Sequence, residues 1–290
     1  MKDKVFQVIL FCGAFAILLL LAGILYSLIS GSMEAFKEFG FIDFIISSEW
    51  DPKDGAERYG AYSFILGTLL TGVLSLLICI PFSLSLTLFI CEFYKGKRIA
   101  NWLSTIMDFL SGIPSIIFGI WGLYILRPLF ESLNIGYHGY GIFLTSTVLA
   151  IMIIPYATSL SSAFMSKIPM SLKENAYSLG ATRLEVINKV CLPVSRKGII
   201  ASYLLAFGKV LGEAIVVTIL IGNSNFISTE IFSTDILSST GNTLTSVLIN
   251  QFGAGSNLKL SALVAIALIL FIISAIINRI ARSMVRRAQV

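Results

Sequence analysis

Long apolar segments alternate with shorter polar ones along the whole chain, and this pattern predicts membrane-spanning helices. A helix needs about 20 mostly apolar residues to cross a hydrocarbon layer roughly 30 Å thick. Six segments qualify, and they run from Val5 to Ile29, Ala61 to Cys91, Ile99 to Leu126, Gly141 to Ala163, Gly198 to Gly222 and Leu258 to Asn278. The strands of a membrane barrel would alternate apolar and polar residues over short stretches, whereas these segments are long and unbroken. We therefore predict an all-α polytopic protein with six transmembrane helices.

The composition agrees with a protein that uses lipid as its solvent. Of the 290 residues 56% are hydrophobic and 13% charged, and the mean hydropathy is +0.89. A soluble domain of this length would need more polar side chains to cover its surface. The four cysteines have no paired spacing, and there is one histidine. Neither a disulfide framework nor a zinc site is indicated.

The lysine and arginine residues predict the orientation, because these residues are retained on the cytoplasmic side of a membrane. One side of the predicted topology carries Lys2, Lys4, Lys95, Lys97, Arg98, Lys167, Lys173, Arg183, Lys189, Arg196, Lys197, Arg279, Arg282, Arg286 and Arg287. The other side carries only Lys37, Lys53, Arg58, Arg127 and Lys259. Both termini are therefore predicted to be cytoplasmic. The net charge of +5 is an orientation signal rather than a nucleic-acid footprint.

Three connecting segments are long enough to carry structure of their own. Two of them, Ser30 to Gly60 and Asn223 to Asn257, are predicted to be external. The second contains Ile231 to Leu237 and Leu244 to Ile249, which we predict to be short helices at the surface. The longest cytoplasmic segment runs from Met165 to Lys197, between the fourth and fifth spans.

This cytoplasmic segment has the pattern of two short helices. It opens with a proline and a serine, which suit a helix start, and its apolar residues then recur at helical spacing until Gly180 interrupts them. Leu192 and Pro193 are predicted to end the second helix, because proline lacks the backbone donor that an interior position needs. On these residues alone the segment could equally be a polar connector.

The segment resembles the signature loop of importer-class ABC permeases, in which a Glu-Ala-Ala stretch is followed by a glycine and a distal Leu-Pro. The matching residues are Glu174, Ala176, Gly180, Leu192 and Pro193, and Asn175 stands where the first alanine is usual. The resemblance implies coupling helices at about 168–193 that sit in a groove of a cytoplasmic ATPase. The chain has no Gly-x-x-x-x-Gly-Lys-Ser/Thr segment. We therefore expect it not to be an enzyme and to hold no cofactor, with ATP and Mg bound by the partner ATPase.

Two charged residues, Lys209 and Glu213, lie inside the fifth apolar segment. Each charge costs about 2.5–3.5 kcal/mol within a membrane. Their four-residue spacing puts them on one face of a continuous helix, and the simplest explanation is a salt bridge between them. Such a pair contributes only about 0.2–0.5 kcal/mol, so a hydrated cavity or a partner subunit explains the charges better.

The stretch from Gly208 to Glu213 is similar to the Gly-Arg-Ala-x-Gly-Glu-Thr stretch of Pst-type phosphate permeases, with Lys209 in place of the arginine and Ala214 in place of the threonine. Other stretches that resemble the PstC-type subunits are Trp50 to Pro52, Gly112 to Gly119, Ile221 to Ser224, Thr243 to Ile249 and Leu270 to Arg282. The resemblance implies the type I ABC importer permease (MetI-like) fold. It also implies a phosphate pathway that works by alternating access.

The resemblance and the apolar pattern together give the expected site and organisation. The anion pathway is expected to include Lys209, Glu213, Gly112 and Ser115. Gly112 and Ser115 lie beside Pro114, where the helix either breaks and faces the pore or packs its small residues against a neighbouring helix. We expect residues 1–60 to form the first helix with its external loop and residues 61–290 a five-helix permease core. The expected partners are a second permease (PstA-like), a cytoplasmic ATPase dimer (PstB-like), an extracytoplasmic phosphate-binding protein (PstS-like) and the lipid of a bacterial inner membrane, with no nucleic acid.

Two other functions remain open on the sequence. A permease for another oxyanion, such as sulfate, molybdate or tungstate, would use the same charges, and lysine lacks the planar fork with which arginine grips phosphate. A stand-alone secondary transporter would show an inverted repeat, of which we find no convincing example. A membrane enzyme is disfavoured because no nucleophile and base have a suitable spacing.

Overall fold

The computed structural model describes residues 2–52, 57–224, 239–253 and 256–288, and most of them are helical. The helices are α1 (Lys2–Phe39), α2 (Phe41–Ile46), α3 (Tyr62–Leu88), α4 (Arg98–Ser111), α5 (Ser115–Trp121), α6 (Arg127–Ser132), α7 (Ile142–Met165), α8 (Met170–Ser178), α9 (Arg183–Val186), α10 (Leu192–Leu211), α11 (Ile215–Leu220), α12 (Leu244–Gln251) and α13 (Asn257–Ala288). Three π-helical turns extend helices, at Phe89–Phe93, Gly122–Leu126 and Ile187–Cys191. The short helix predicted at Ile231 to Leu237 lies outside the described residues.

The predicted spans correspond to helices of the structure. In the described part of the chain, five helical stretches are long and apolar enough to cross a membrane, namely Phe6–Phe39, Tyr62–Phe93, Ile142–Met165, Arg183–Leu211 and Asn257–Arg286. A sixth span results if Arg98–Ser111 and Ser115–Ser132 are counted together. The all-α prediction of six spans is thus confirmed, with the third span made of two bent halves.

The bend in the third span is 92° and lies between α4 and α5. It follows from the local sequence, because Gly112 ends α4 and Pro114 precedes α5 in an extended conformation with ψ of 135°. Proline cannot donate to the preceding turn, and the residue before it avoids the helical region. The break that Pro114 suggested is therefore present.

The fifth span is also broken, and here the prediction of a continuous helix was wrong. The helix α10 ends at Leu211, and α11 begins only at Ile215. Gly212 follows the last turn, and the amide of Glu213 donates to the carbonyl of Val210 at 3.0 Å, a shorter connection than a helical one. Glycine in a helix interior is unfavourable by roughly 0.5–1 kcal/mol relative to alanine, so less stability is lost when the helix ends here.

The loop between α7 and α10 forms the two predicted short helices, α8 and α9, on either side of Gly180, whose φ is 83°. The prediction that Leu192 and Pro193 end the second helix was wrong. The chain stays helical through a π turn, in which the amide of Leu192 donates to the carbonyl of Ile187. Pro193 is the second residue of α10 and directly follows this π turn.

The contacts divide the chain into two compact units, the first comprising Met1–Tyr62 and Gln251–Phe271. In this unit the Ser261 hydroxyl donates to the carbonyl of Gly31 at 2.7 Å and accepts from the amide of Ala35 at 3.0 Å. A two-stranded antiparallel hairpin, β1 (Trp50–Asp51) and β2 (Arg58–Tyr59), packs Trp50 against Tyr59. Farther along α1, apolar side chains are exposed all round the helix, as suits a lipid-facing span.

The second unit comprises Ser63–Asn250 and Ile272–Val290, and α7 forms its centre. Small residues let the helices approach closely. A Cβ on Gly198 of α10 would lie 2.4 Å from Cγ of Phe164 on α7, and one on Gly72 of α3 would lie 2.7 Å from the Phe207 ring. The core of the second unit is therefore a set of tightly packed helices around α7.

Buried hydroxyl groups in this unit bond mainly within their own helices. Each donates to the carbonyl four residues earlier, and they belong to Thr68, Ser75, Ser83, Thr87, Thr145, Ser146, Ser195 and Ser202. A polar group inside a membrane must find a partner in the protein. Each of these hydroxyl donors is thus satisfied within its own helix, while the hydroxyls of Thr68 and Ser83 also bond to a neighbouring helix.

The helix predicted at Leu244 to Ile249 is present as α12, but its predicted position at the surface was wrong. The first turn of α12, from Leu244 to Val247, is buried. The amide of Leu244 donates to the hydroxyl of Thr68 on α3 at 2.9 Å. The hydroxyls of Thr243 and Ser246 pair with this first turn, which satisfies its free amides.

Candidate functional site

The two helix breaks lie next to each other in the second unit. A Cβ on Gly119 of α5 would lie 3.0 Å from Cδ1 of Ile219 and 3.5 Å from Cα of Val216, both on α11. One on Gly122, just after α5, would lie 2.9 Å from Cδ1 of Leu220. Contacts therefore advance together along both helices, so α5 and α11 run side by side in the same direction. Their starting points, and with them the two breaks, lie at the same end.

Lys209 is an exposed side chain on the last turn of α10. Its Nζ lies 5.0 Å from the centre of the Tyr156 ring on α7, a cation–π contact that orients the ammonium group. No ion pair joins Lys209 to Glu213 in the described part of the chain. The salt-bridge explanation of the two charges thus fails, because Glu213 lies beyond the end of the helix that carries Lys209.

Glu213 lies inside the break of the fifth span and is half-buried. Its Oε1 accepts from the amide of Val216 at 3.5 Å, so the carboxylate caps the start of α11. Its backbone carbonyl accepts from the hydroxyl of Thr245 on α12 at 2.9 Å. Glu213 is therefore tied both to α11 and to the buried first turn of α12.

The structure adds residues that the sequence did not single out for this site. Ser159 of α7 donates to Oδ1 of Asp108 on α4 at 3.2 Å, and both side chains are exposed. Ser159 lies one turn from Tyr156, so α7 presents the contacts to Asp108 and to Lys209 on the same face. In the sequence, Tyr156 and Ser159 stand out only as polar residues that follow Pro155 in an apolar span.

The predicted residues Gly112 and Ser115 flank the bend of the third span. Gly112 is exposed one turn after Asp108, and Ser115 is half-buried at the start of α5. Both residues therefore lie at the break of the third span, next to the break of the fifth span that contains Glu213. The four predicted pathway residues thus lie at or beside two adjacent breaks, with the exposed ammonium group of Lys209 on one side and the exposed carboxylate of Asp108 on the other.

The loop between α7 and α10 exposes the residues predicted for coupling. Glu174 and Gly180 are exposed, and Ala176 is half-buried on α8. Gly180 has open space around its Cα and a left-handed backbone, which glycine adopts without strain. Leu179 is 89% exposed and Leu184 is 62% exposed. A loop that exposes such apolar side chains has the character of an interaction surface.

The remaining predicted coupling residues, Leu192 and Pro193, lie at the start of α10, half-buried and exposed respectively. The start of α9 is fixed by a capping box. The amide of Thr182 donates to Oε2 of Glu185 at 3.0 Å, and the amide of Glu185 donates back to the Thr182 hydroxyl at 3.4 Å. Lys173 of the loop also forms a buried ion pair with Glu92, in the π turn that extends α3, and the sequence did not indicate this pair.

Within the described ranges, no group of three or more histidine, cysteine, aspartate or glutamate side chains is placed to hold a metal ion. The site therefore offers the ammonium group of Lys209, the carboxylates of Glu213 and Asp108, and the hydroxyl of Ser159. Broken helices with ionisable side chains are typical of substrate pathways in membrane proteins. Fold and site together define a membrane permease.

Comparison with known proteins gives the same class. Residues 80–290 match the family model described as binding-protein-dependent transport system inner membrane component. Among the solved structures, the bacterial alginate ABC transporter in complex with an alginate pentasaccharide-bound periplasmic protein aligns with a TM-score of 0.61 at 18% identity, covering 99% of this chain and 96% of that one. An inward-facing MetNI methionine ABC transporter aligns with a TM-score of 0.55 at 16% identity, covering 76% and 93%. These two likenesses show the MetI-like fold.

Relatives with higher sequence identity give a more specific assignment within this class of permeases. The phosphate transport system permease protein PstC of Mesorhizobium japonicum is 35% identical over 99% of this chain and 91% of its own length. The PstC of Haemophilus influenzae is 36% identical over 95% and 90%. A probable PstC of Methanocaldococcus jannaschii is 31% identical over 96% and 91%. The chain therefore belongs to the binding-protein-dependent transport system inner membrane components and, within them, to the PstC permeases.

Proposed function

We propose that this chain is the permease subunit that conducts inorganic phosphate into the cytoplasm in an ATP-driven importer. Its expected partners are a second permease of the PstA type, an ATPase dimer of the PstB type and an extracytoplasmic phosphate-binding protein of the PstS type. Support comes from the relatives named as phosphate permeases, which align with at least 95% of the chain at 31–36% identity.

The observation that carries the proposal is the exposed ammonium group of Lys209 beside a break in a membrane helix. A cation held in the membrane without an ion-pair partner is costly unless it faces water or a substrate. A passing phosphate anion loses its hydration, and the positive charge offsets part of that loss. The ring of Tyr156 orients the ammonium group and leaves its donors free for the anion.

Coupling to ATP hydrolysis is assigned to the loop that contains α8 and α9. Its exposed Leu179 and Leu184 give the ATPase an apolar surface, and the exposed Glu174 gives it a charge. Movement of the loop would shift α7 and α10, which it joins directly. This chain then supplies the pathway by alternating access, while the partner ATPase binds ATP and Mg.

The membrane orientation is part of the proposal. The lysine and arginine excess supports a cytoplasmic position for both termini and for the coupling loop. The loop after α1 and the segment before α12 then face outward, where a binding protein delivers the anion. We propose a bacterial inner membrane as the location.

Uptake competition tests the substrate. Cells that carry the whole importer and lack other phosphate transporters should accumulate labelled phosphate, and excess unlabelled phosphate should suppress this uptake. Equal excesses of sulfate, molybdate or tungstate should leave it unchanged. Uptake of labelled sulfate, molybdate or tungstate in place of phosphate would assign the chain to that oxyanion.

The variant Lys209→Ala tests the role of the charge. We expect it to reduce uptake by at least about tenfold, the loss expected when a charge-assisted contact of 1.5–3 kcal/mol is removed, while the subunits still assemble. Lys197→Ala is the matched control, because Lys197 is an exposed lysine at the other end of α10. Normal uptake by the assembled Lys209→Ala importer would exclude Lys209 from the pathway.

A further inference from the structure

Two oppositely charged side chains are buried together where the coupling loop meets α3. Nζ of Lys173, on α8, lies 2.5 Å from Oε1 of Glu92, in the π turn that extends α3. The side chains are only 5% and 8% exposed. They are 81 residues apart in the chain, so the contact joins two segments that the sequence does not connect directly.

Stability alone does not account for a pair of this kind. Removing two charges from water is expensive, and the attraction between them often does no more than offset that cost. Apolar residues of similar volume are frequently as stabilising or more so. A pair so fully buried therefore requires a further explanation, which we seek in what the two residues connect.

A second contact from the same loop converges on Glu92. Nη2 of Arg183, at the start of α9, donates to the backbone carbonyl of Glu92. Its guanidinium group also lies 4.7 Å from the centre of the Phe93 ring. Carbonyls at the end of a helix have no helical donor, and here the loop supplies one. Both helices of the loop thus hold the same turn of α3.

The far end of α3 is connected through α12 to the helix break in the fifth span. Thr68 is 24 residues before Glu92, about 36 Å along a helix, and its hydroxyl accepts from the amide of Leu244. The adjacent Thr245 donates to the carbonyl of Glu213. A continuous series of bonded contacts thus runs from the loop through α3 to Glu213.

We propose that Glu92 and Lys173 are positioning residues that fasten the coupling loop to α3, so that loop movement is transmitted to α3 as well as to α7 and α10. The role rests on the proposed ATP-driven transport. The link moves α3 as a rigid element and brings Thr68 and the break at Glu213 with it. Neither side chain touches the transported anion.

The test compares transport with ATP hydrolysis in the complete importer reconstituted into liposomes. The double variant Glu92→Gln with Lys173→Met removes both charges at nearly constant volume, so no unpaired charge is left buried. We expect the double variant to assemble, to hydrolyse ATP, and to transport at least about threefold fewer anions per ATP. Substitutions along a coupling network change the coupling between two sites by factors of this size. Lys173→Arg, which retains the charge, should keep the ratio of the unmodified importer.

Lys189→Met is the matched control, because Lys189 forms an exposed ion pair with Glu185 at 3.1 Å on the same loop. It should leave the ratio unchanged. A double variant with the unmodified ratio would overturn the proposal and leave the pair a structural one. If the double variant does not assemble, Glu92→Asp decides: it keeps both charges and lengthens the contact, and an unchanged ratio there would equally exclude the link.

The outcome is independent of the substrate assignment. Should the unmodified importer transport sulfate in place of phosphate, the proposed function would fail, and the ratio would be measured with sulfate. The link itself is judged only by comparing the variants with the unmodified importer.

Discussion

At the residue scale, the environment of each side chain decides what it can do. Lys209 and Lys173 are both lysines on helices of one unit, yet the first is exposed beside an aromatic ring and the second is buried against a carboxylate. An exposed ammonium group keeps its donors for a ligand, whereas a buried one uses them in a fixed contact. One lysine is therefore suited to bind a passing anion and the other to join two helices.

A prediction at this scale concerns Gly198, whose missing side chain lets α10 approach α7. Gly198→Ala would place a Cβ 2.4 Å from Cγ of Phe164. Because an overpacked core costs about 1–3 kcal/mol, we expect a lower melting temperature of the purified protein in detergent. The measurement is thermal unfolding followed by tryptophan fluorescence.

Gly13→Ala is the matched control for that experiment. Gly13 lies in α1, and a Cβ there would meet nothing within 4 Å. The melting temperature of this variant should equal or slightly exceed that of the unmodified protein, since alanine favours a helix. Equal effects of the two substitutions would contradict the packing explanation.

At the element scale, glycine and proline determine where the membrane helices break. Pro114 was a clear signal in the sequence, and the third span does bend there by 92°. The break after Leu211 was not predicted, because the apolar run continues through it and a single glycine is tolerated in many helices. The position of Glu213 outside α10 thus depended on tertiary contacts, including the bond from Thr245, that local pattern does not reveal.

Gly180, between the two loop helices, gives a prediction at the element scale. Its φ of 83° is incompatible with proline, whose ring fixes φ near −65°. Gly180→Pro should also remove the donor that bonds to the carbonyl of Tyr177 at 2.9 Å. We expect ATP hydrolysis to continue while phosphate uptake falls by at least about tenfold, as it does when a conformational equilibrium shifts by 1.4 kcal/mol.

Gly180→Asn is the appropriate comparison, because asparagine adopts a positive φ more readily than other residues. The space around Gly180 is open, so the new side chain meets no neighbour. This variant should retain most of the uptake. If Gly180→Pro transported phosphate normally, the conformation of the loop would not matter for coupling.

At the scale of the whole molecule, apolar patterning and charge placement indicated most of the architecture. The six spans and the two loop helices were predicted from the length and spacing of apolar residues and from the positions of glycine and proline. This works because a chain that crosses lipid has to form long apolar helices. The side-by-side breaks and the contact between Lys173 and Glu92 were not predicted. They depend on which helices pack together, and a single sequence with many similar apolar faces does not specify those pairings.

The orientation gives a prediction for the whole molecule. In a chain whose four cysteines are replaced by serine, Lys37→Cys should react with a membrane-impermeant maleimide in intact spheroplasts. Arg282→Cys should react only after permeabilisation, because we expect the surrounding arginines to hold its helix end in the cytoplasm. The opposite pattern of labelling would invert the topology and exclude the loop as the ATPase contact.

The hydroxyl groups that bond within their own helices have a consequence for how easily the helices can slide. A transporter that opens alternately to either side must shift α3, α7 and α10 against one another. Interhelical hydrogen bonds would have to break in each cycle, and lipid offers no replacement partner. The hydroxyls of Ser75, Ser146 and Ser202 keep their acceptors wherever the helix moves. These hydroxyl groups therefore add no interhelical bond that the transport cycle has to break.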